Sequence, residues 1–534
     1  VADAPKLEIL AGRPAGAPLV RDYLEGAPAA RDFYAGHFDE PEAYREKAQE
    51  VDGRFDRAAR ERAAQAIRVP AGGDAGRRKR FVEEGGYVVT TGQQPGLFGG
   101  PLYSLYKGIT TVRLAEALEP LLGKPVLPLF WVASEDHDWA EANHTYLVDV
   151  DNELHLSTLG DRPGDVHPPL HRILLGPEAV AVRDAFIDAL PRTDFSAPYV
   201  ALLRDAVTEG ATLPGSFLRI MEELLGPMGL CFTDAADPVV KAASVELLLD
   251  ELSRSEETEA VLGATAARLE EAGYGLQVAL MEGGVNLFLE GPLGRERLYR
   301  ENGGVRLHAS GDVLTLSEVR ARATRDPSVL SPNVLFRPVV ESAVFPTLSY
   351  VAGPGEAAYF GQLRDFFGAF GMRMPVVHPR RGATVVEGKV RKVLDKFGLE
   401  PTALERPFHE VAGDIAREEI PGEIQAALAS LRGAIGKGTG ELQGAVKALD
   451  PTLKGPAQHV RAQAFAALDE VERKVVQAVK RENDIALAQL EKARLHLYPD
   501  GRLQERVFNV FYYLARYGGA FLDEIHRSFD VKLR

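Results

Sequence analysis

The stretch 87–134 constrains the fold more than any other part of the chain. Residues 87–107 read YVVTTGQQPGLFGGPLYSLYK. The β-branched run 87–91 has the composition of a buried strand, and Gly92 breaks it. A loop with Gly92, Pro95, Gly96, Gly99 and Gly100 follows. Beyond Pro101, the residues Leu102, Leu105, Tyr106, Ile109 and Val112 recur at helical spacing. Proline suits the first turn of a helix, where its missing N–H would have had no partner. Residues 124–134, with LPLFWVAS as their apolar body, read as a second strand. Strand, loop, helix and strand in this order form a βαβ unit and predict an α/β fold with a parallel sheet.

Ligands of such sheets bind beyond the carboxyl ends of the strands. Two conspicuous loops lie there, TGQQPGLFGG and SEDHDWAEANH. The first precedes a helix, as phosphate-binding loops do, yet it matches neither GxGxxG nor the Walker pattern. It reads either as an anion or nucleotide loop or as a tight turn. The candidate binding residues are Gly92, Gln93, Gln94, Gly96, Gly99 and Gly100, with Tyr103 and Lys107 on the helix. The glutamines suit orientation of a polar substrate; Lys107 either reaches a phosphate or stays solvated. The second loop holds Glu135, Asp136, His137 and Asp138, with His144 shortly after. This density of carboxylates and imidazoles exceeds what helix capping needs and marks the catalytic candidates. It suits a metal site or acid–base chemistry, and no fixed ligand spacing such as HExxH decides between them.

A second strand–loop–helix unit follows at 345–370, with Gly353, Pro354, Gly355 and Glu356 at its turn. Residues 374–378 read as a further strand, ending before Arg380 and Arg381. Asn333, Arg337, His378 and Arg380 carry anion-binding potential. Arg337 and Arg380 stand out as cations among apolar strand residues, where a stray charge is costly. Elsewhere, 71–80 (AGGDAGRRKR) reads as a basic loop. Residues 277–280 and 285–290 read as a hairpin about Gly283-Gly284, and 383–397 as helix. The Ala-, Glu- and Lys-rich region 421–497 reads as two long antiparallel helices. The second, 457–497, would reach about 60 Å and suits a coiled-coil dimer. The expected organisation is a helical segment at 1–75 and a core at 76–264 and 326–397. A β-rich insertion at 265–325, a helical hairpin at 398–498 and a tail at 499–534 complete it.

Composition narrows the function. With 534 residues, 45% apolar and 26% charged, the chain is that of a soluble protein of several structural units. A net charge of −15 argues against a nucleic-acid partner. No run approaches the ~18 apolar residues of a membrane span. The start VADAPKLEIL lacks the pattern of a secretory signal, so the cytoplasm is expected. The single cysteine, Cys231, excludes an internal disulfide and a cysteine-cluster metal site, and suits a buried apolar position better than a nucleophile.

Four segments together resemble one family, the cysteine ligases of bacillithiol biosynthesis, BshC. They are TGQQPGLFGGPLYSLYK, FWVASEDHDWAEANH, SPNVLFRP with FPTLSYVAGPGEAAYFGQL, and LYPDGRLQERVFNVFYYLARYG, in collinear order. The resemblance implies a Rossmann-like core with connecting insertions and a C-terminal coiled coil that pairs two subunits. It also implies amide formation between L-cysteine and the amine of glucosaminyl malate. Joining a free carboxylate to an amine requires activation, so ATP or ADP is the expected nucleotide; a metal is left open. The HIGH and KMSKS signatures of the related class I synthetases are absent, and TGQQPGLFGGPLY stands at the place of the first without a histidine.

Overall fold

The computed structural model describes residues 7–14, 16–162 and 164–534. The segment 1–6, on which the reading of the N-terminal start rests, lies outside the described residues, as does Pro163. The chain forms two compact units, residues 9–384 with 505–534, and residues 385–504 with Leu7 and Glu8.

The larger unit is built on a parallel five-stranded sheet. In chain order the core strands are β1 (Tyr87–Gln93), β2 (Val126–Val132) and β3 (Cys231–Asp234). Two strands of a second sheet come next, β4 (Gly284–Gly291) and β5 (Gly294–Glu301). The core then resumes with β6 (Thr347–Ala352) and β7 (Val376–Pro379). The spatial order of the parallel sheet is β7-β6-β1-β2-β3. Strand order therefore reverses between β1 and β6, which is where open α/β sheets bind ligands. Both faces are covered. Val88, Leu127, Leu129 and Trp131 pack on one side, and Tyr87, Val89 and Val126 on the other. The period-2 alternation makes one strand serve two apolar layers.

The first connection has the expected order, but Gly92 does not break the strand: β1 runs on to Gln93, with Gly92 and Gln93 paired to Trp131 and Val132. Pro101 caps the helix Leu102–Leu122, which is buried along most of its length. Four local readings change. The 71–80 segment is a loop only as far as Asp74, which caps a helix, Ala75–Glu83. Arg77 bonds Glu119 and the carbonyl of Val126, and Arg78 that of Ile67, while Arg78 and Arg80 remain exposed. Residues 277–280 form no strand, because Val278 exchanges both backbone bonds with the side chain of Gln362. The hairpin is instead β4 with β5, in an antiparallel five-stranded sheet closed by Leu330–Pro332. Arg337 is not in a strand but opens a helix, Arg337–Val344. Within 383–397 the chain is extended over Gly382–Glu387, and the helix begins only at Gly388.

In the smaller unit, helices Gly422–Leu449 and Lys454–Glu482 form a hairpin tied by Arg432 to Asp469 and Glu472. The expected long helix 457–497 is broken at Asn483, after which Asp484–Leu497 continues. Among the described residues no helix is long and apolar enough to cross a membrane.

Candidate active site

The carboxyl ends of β1, β2, β6 and β7 open into a cavity of about 470 Å³. Its wall takes in Gly92 and Gln93 at the end of β1, Gln94 just beyond it, and Glu135, Asp136 and His137 after β2. Gly353, Gly355 and Glu356 after β6 and Arg380 after β7 complete the sheet side, with Tyr103 and Lys107 from the helix behind β1. Asn333 and Arg337 line it as well. Five separate segments that the sequence nominated thus converge on one space.

The remaining nominated residues lie elsewhere. Gly96, Gly99 and Gly100 are buried behind the wall. A Cβ on Gly96 would stand 2.8 Å from the Cα of Gly100, and Phe98, Gly99 and Gly100 all have left-handed φ. The side chain of Asn509 donates to the carbonyls of Phe98 and Gly100, and Phe508 O accepts from the N–H of Leu102. Those glycines close a tight turn under the C-terminal segment, and the first helical N–H is already occupied. Asp138 caps the short helix Trp139–Ala142. His144 lies outside the cavity wall and bonds Ala140 O and Asn143.

Charge in the cavity is mostly paired. Lys107 is buried; its Nζ donates to Gly92 O at 2.6 Å and Gln93 Oε1 at 3.0 Å, and lies 2.6 Å from Glu356. Burial pulls the Lys107 ammonium down, against the opposing pull of Glu356. Glu356 also accepts from Tyr350 and from the N–H of Gly353, and stays below the usual carboxylate range although burial works the other way. Arg337 donates to Glu341 at 2.7 Å and to the hydroxyls of Tyr350 and Tyr359. Arg380 and Glu505 form a bidentate pair at 2.9 and 2.6 Å. Glu135 is held by the buried Lys241. Lys107 is therefore neither solvated nor free.

His137 has a defined tautomer. Arg295 Nη1 lies 3.1 Å from His137 Nδ1, and a guanidinium only donates. Nδ1 must then be the acceptor, which places the ring proton on Nε2. Burial first, and Arg295 second, lower the imidazole's proton affinity. Asp136 accepts from Gln94 and from the N–H of His137, with Arg295 at 3.7 Å. Burial opposes its ionisation, but these partners together hold Asp136 below its usual range. Gln94 Oε1 is buried without a partner among the described residues. Glu141 also lines the cavity, without a side-chain partner among the described residues; the low-dielectric wall, then Asp138 and Asp136, push its carboxyl up. Among the described residues no three His, Cys, Asp or Glu side chains are grouped to hold a metal. Cys231 is buried, and its thiol is pushed up to about 11 by that burial.

Several wall residues escaped sequence reasoning: Glu141, Phe288, Arg295, Arg297, Tyr350 and Arg506. Arg295 and Arg297 come from β5, in the region read as a mere insertion. Their signal was present in GRERLYRE, since arginines two apart on a strand share a face.

Comparison with known proteins agrees with this architecture. The family profile described as bacillithiol biosynthesis BshC, N-terminal Rossmann-like domain, matches residues 7–381. The one described as BshC C-terminal coiled-coil domain matches residues 383–532. A relative from Salinibacter ruber, named "Putative cysteine ligase BshC", is 36% identical over 449 residues, covering 83% of this chain and 80% of its own. A relative of the same name from Symbiobacterium thermophilum is 34% identical, covering 81% and 80%. Another, from Geobacillus thermodenitrificans, is 30% identical over 96% of both chains. On the extent of these matches, the chain belongs to the BshC family of bacillithiol biosynthesis.

Proposed function

We propose that this chain is a ligase that joins the carboxyl group of L-cysteine to the amine of glucosaminyl malate, with ATP supplying the activation. The observation that carries the reading is the convergence of the family's collinear segments on one cavity at the β1/β6 switch point. An amide does not form from a free carboxylate at useful rates, because oxide is a poor leaving group. Attack of the cysteine carboxylate on ATP gives an acyl-adenylate and pyrophosphate, or an acyl-phosphate and ADP. The sugar amine then attacks the acyl carbon, and AMP or phosphate departs.

The cavity residues divide into matching roles. The Nε2–H of His137 suits hydrogen bonding to the acyl oxygen as negative charge develops there. With Nδ1 occupied by Arg295, the imidazole is ill-placed as a base. The ammonium proton of the attacking amine goes to a cavity carboxylate. Glu141, unpaired and of raised proton affinity, is better matched than Asp136. Gln94 Oε1, an unused acceptor, suits a substrate N–H or O–H.

Incubating the purified chain with cysteine, glucosaminyl malate and ATP tests the reading. A product heavier than glucosaminyl malate by one cysteinyl residue is expected, with AMP or ADP identifying the activated intermediate. Absence of both product and nucleotide cleavage refutes it. The exposed Leu431, Leu442, Leu449, Val460 and Val471 of the helical hairpin support a second proposal, self-association through that hairpin. Light scattering should give twice the chain mass, and charged substitutions at Leu431 and Leu442 should restore the monomer.

A further inference from the structure

We infer that Arg297 is the anion anchor of the cavity, binding a carboxylate of the acceptor substrate and so selecting an acid-bearing amine over a bare amino sugar. The inference rests on the ligase reading above and adds a specificity determinant to it.

The distribution of charge carries the argument. Lys107, Arg337 and Arg380 line the cavity, but each already has a glutamate partner. The guanidinium of Arg295 is engaged by His137, Ser331 and the carbonyl of Pro332. Arg297 lines the same cavity, and among the described residues nothing accepts from its guanidinium and no carboxylate pairs with it. Arg506 is likewise without a carboxylate, but it is exposed, whereas Arg297 is half-buried on a strand.

Its setting is rigid. Arg297 lies directly opposite Phe288 in the β4–β5 ladder, and Arg295 shares its face two residues earlier. Both guanidinium groups sit over that ring, Arg295 at 3.9 Å and Arg297 at 5.4 Å from its centroid. Two like charges gathered on one ring, one of them unpaired, repel each other, and an oxyanion between them relieves that repulsion. A guanidinium meets a carboxylate through two parallel N–H···O bonds, so the match is geometric as well as electrostatic. The chemistry is shared with phosphate, so the carboxylate and the nucleotide are separate arms of the test.

Calorimetric titration of the full chain with L-malate, and separately with ATP, reads the site without requiring turnover. Arg297→Ala is expected to weaken malate binding about tenfold or more, with ATP binding unchanged. Arg297→Lys, which keeps the charge and loses the fork, should fall between. In turnover, Arg297→Ala should raise KM for glucosaminyl malate while KM for glucosamine stays constant. Three results overturn the inference: a wild-type chain that does not bind malate, malate binding indifferent to both substitutions, or loss of ATP binding instead. Failure of the ligase reading is distinct: malate binding that depends on Arg297, in a chain that forms no amide product, supports the anchor and removes the reaction.

Discussion

Replacing Glu505 should be strongly destabilising although Glu505 is not itself part of the cavity wall. The side chains of Arg380 and Glu505 are only 3% and 5% exposed. Their two parallel bonds, with a third from Arg380 to Arg381 O at 3.0 Å, satisfy the guanidinium inside the protein. Glu505→Ala removes the counter-charge and leaves a cation that is only 3% exposed without a carboxylate partner. Breaking a buried pair from one side costs about 3–5 kcal/mol, more than the pair adds over an apolar pair of the same volume. Glu505→Gln keeps one acceptor, so about 1–3 kcal/mol is expected. Arg380→Met with Glu505→Leu should recover most of the loss, because neither charge then needs solvation. Urea unfolding followed by tryptophan fluorescence measures this directly. The chain has two tryptophans; Trp139→Phe leaves Trp131, buried in β2, as the sole reporter of the core sheet. A loss below about 1 kcal/mol for Glu505→Ala at unchanged slope, or a double variant as unstable as the sum of the two single ones, would refute the reasoning.

Other outcomes follow from the same geometry. Gly96→Ala should destabilise by about 1–3 kcal/mol, because its Cβ meets backbone at 2.8 Å that cannot rotate away; equal thermal midpoints for variant and parent would contradict the packed-turn reading. Glu251 is buried, and its proton affinity is raised to about 7, chiefly by that burial. A folded pKa above the unfolded one contributes stability at low pH that is lost as pH rises from about 4.5 through about 7. Stability of the larger unit should therefore fall across that window by an amount on the order of 3 kcal/mol, and Glu251→Gln should flatten the profile in denaturant melts from pH 5 to 8. Nitrogen-15 NMR of His137 should show a neutral ring protonated at Nε2 at pH 7, and Arg295→Gln should mix the tautomers; an imidazolium at that pH is incompatible with the Arg295 contact.

The sequence by itself determined the local grammar of the site. Glycines at 92, one of the last two residues of β1, and at 353, just after β6, announced to within a residue or two where loops would leave the sheet, and the βαβ spacing made that sheet parallel. Gln94, Asp136, His137 and Arg380 could be named because polar residues at strand ends need a reason. What the sequence could not express was pairing. Lys107 reads the same whether it meets phosphate, water or Glu356, nearly 250 residues away, and only packing decided for Glu356. The glycines at 96, 99 and 100 have the composition of a phosphate loop. Their purpose, a turn closed beneath Asn509, depends on a segment some 400 residues later. Tertiary structure likewise decided that β5 brings Arg295 and Arg297 to the cavity, and that Arg295 fixes the proton of His137. Periodicity encodes which face a residue takes on its own element. Which charges cancel is set by distances across the fold, and within the cavity those distances leave Arg297 as the half-buried cation with no counter-charge among the described residues.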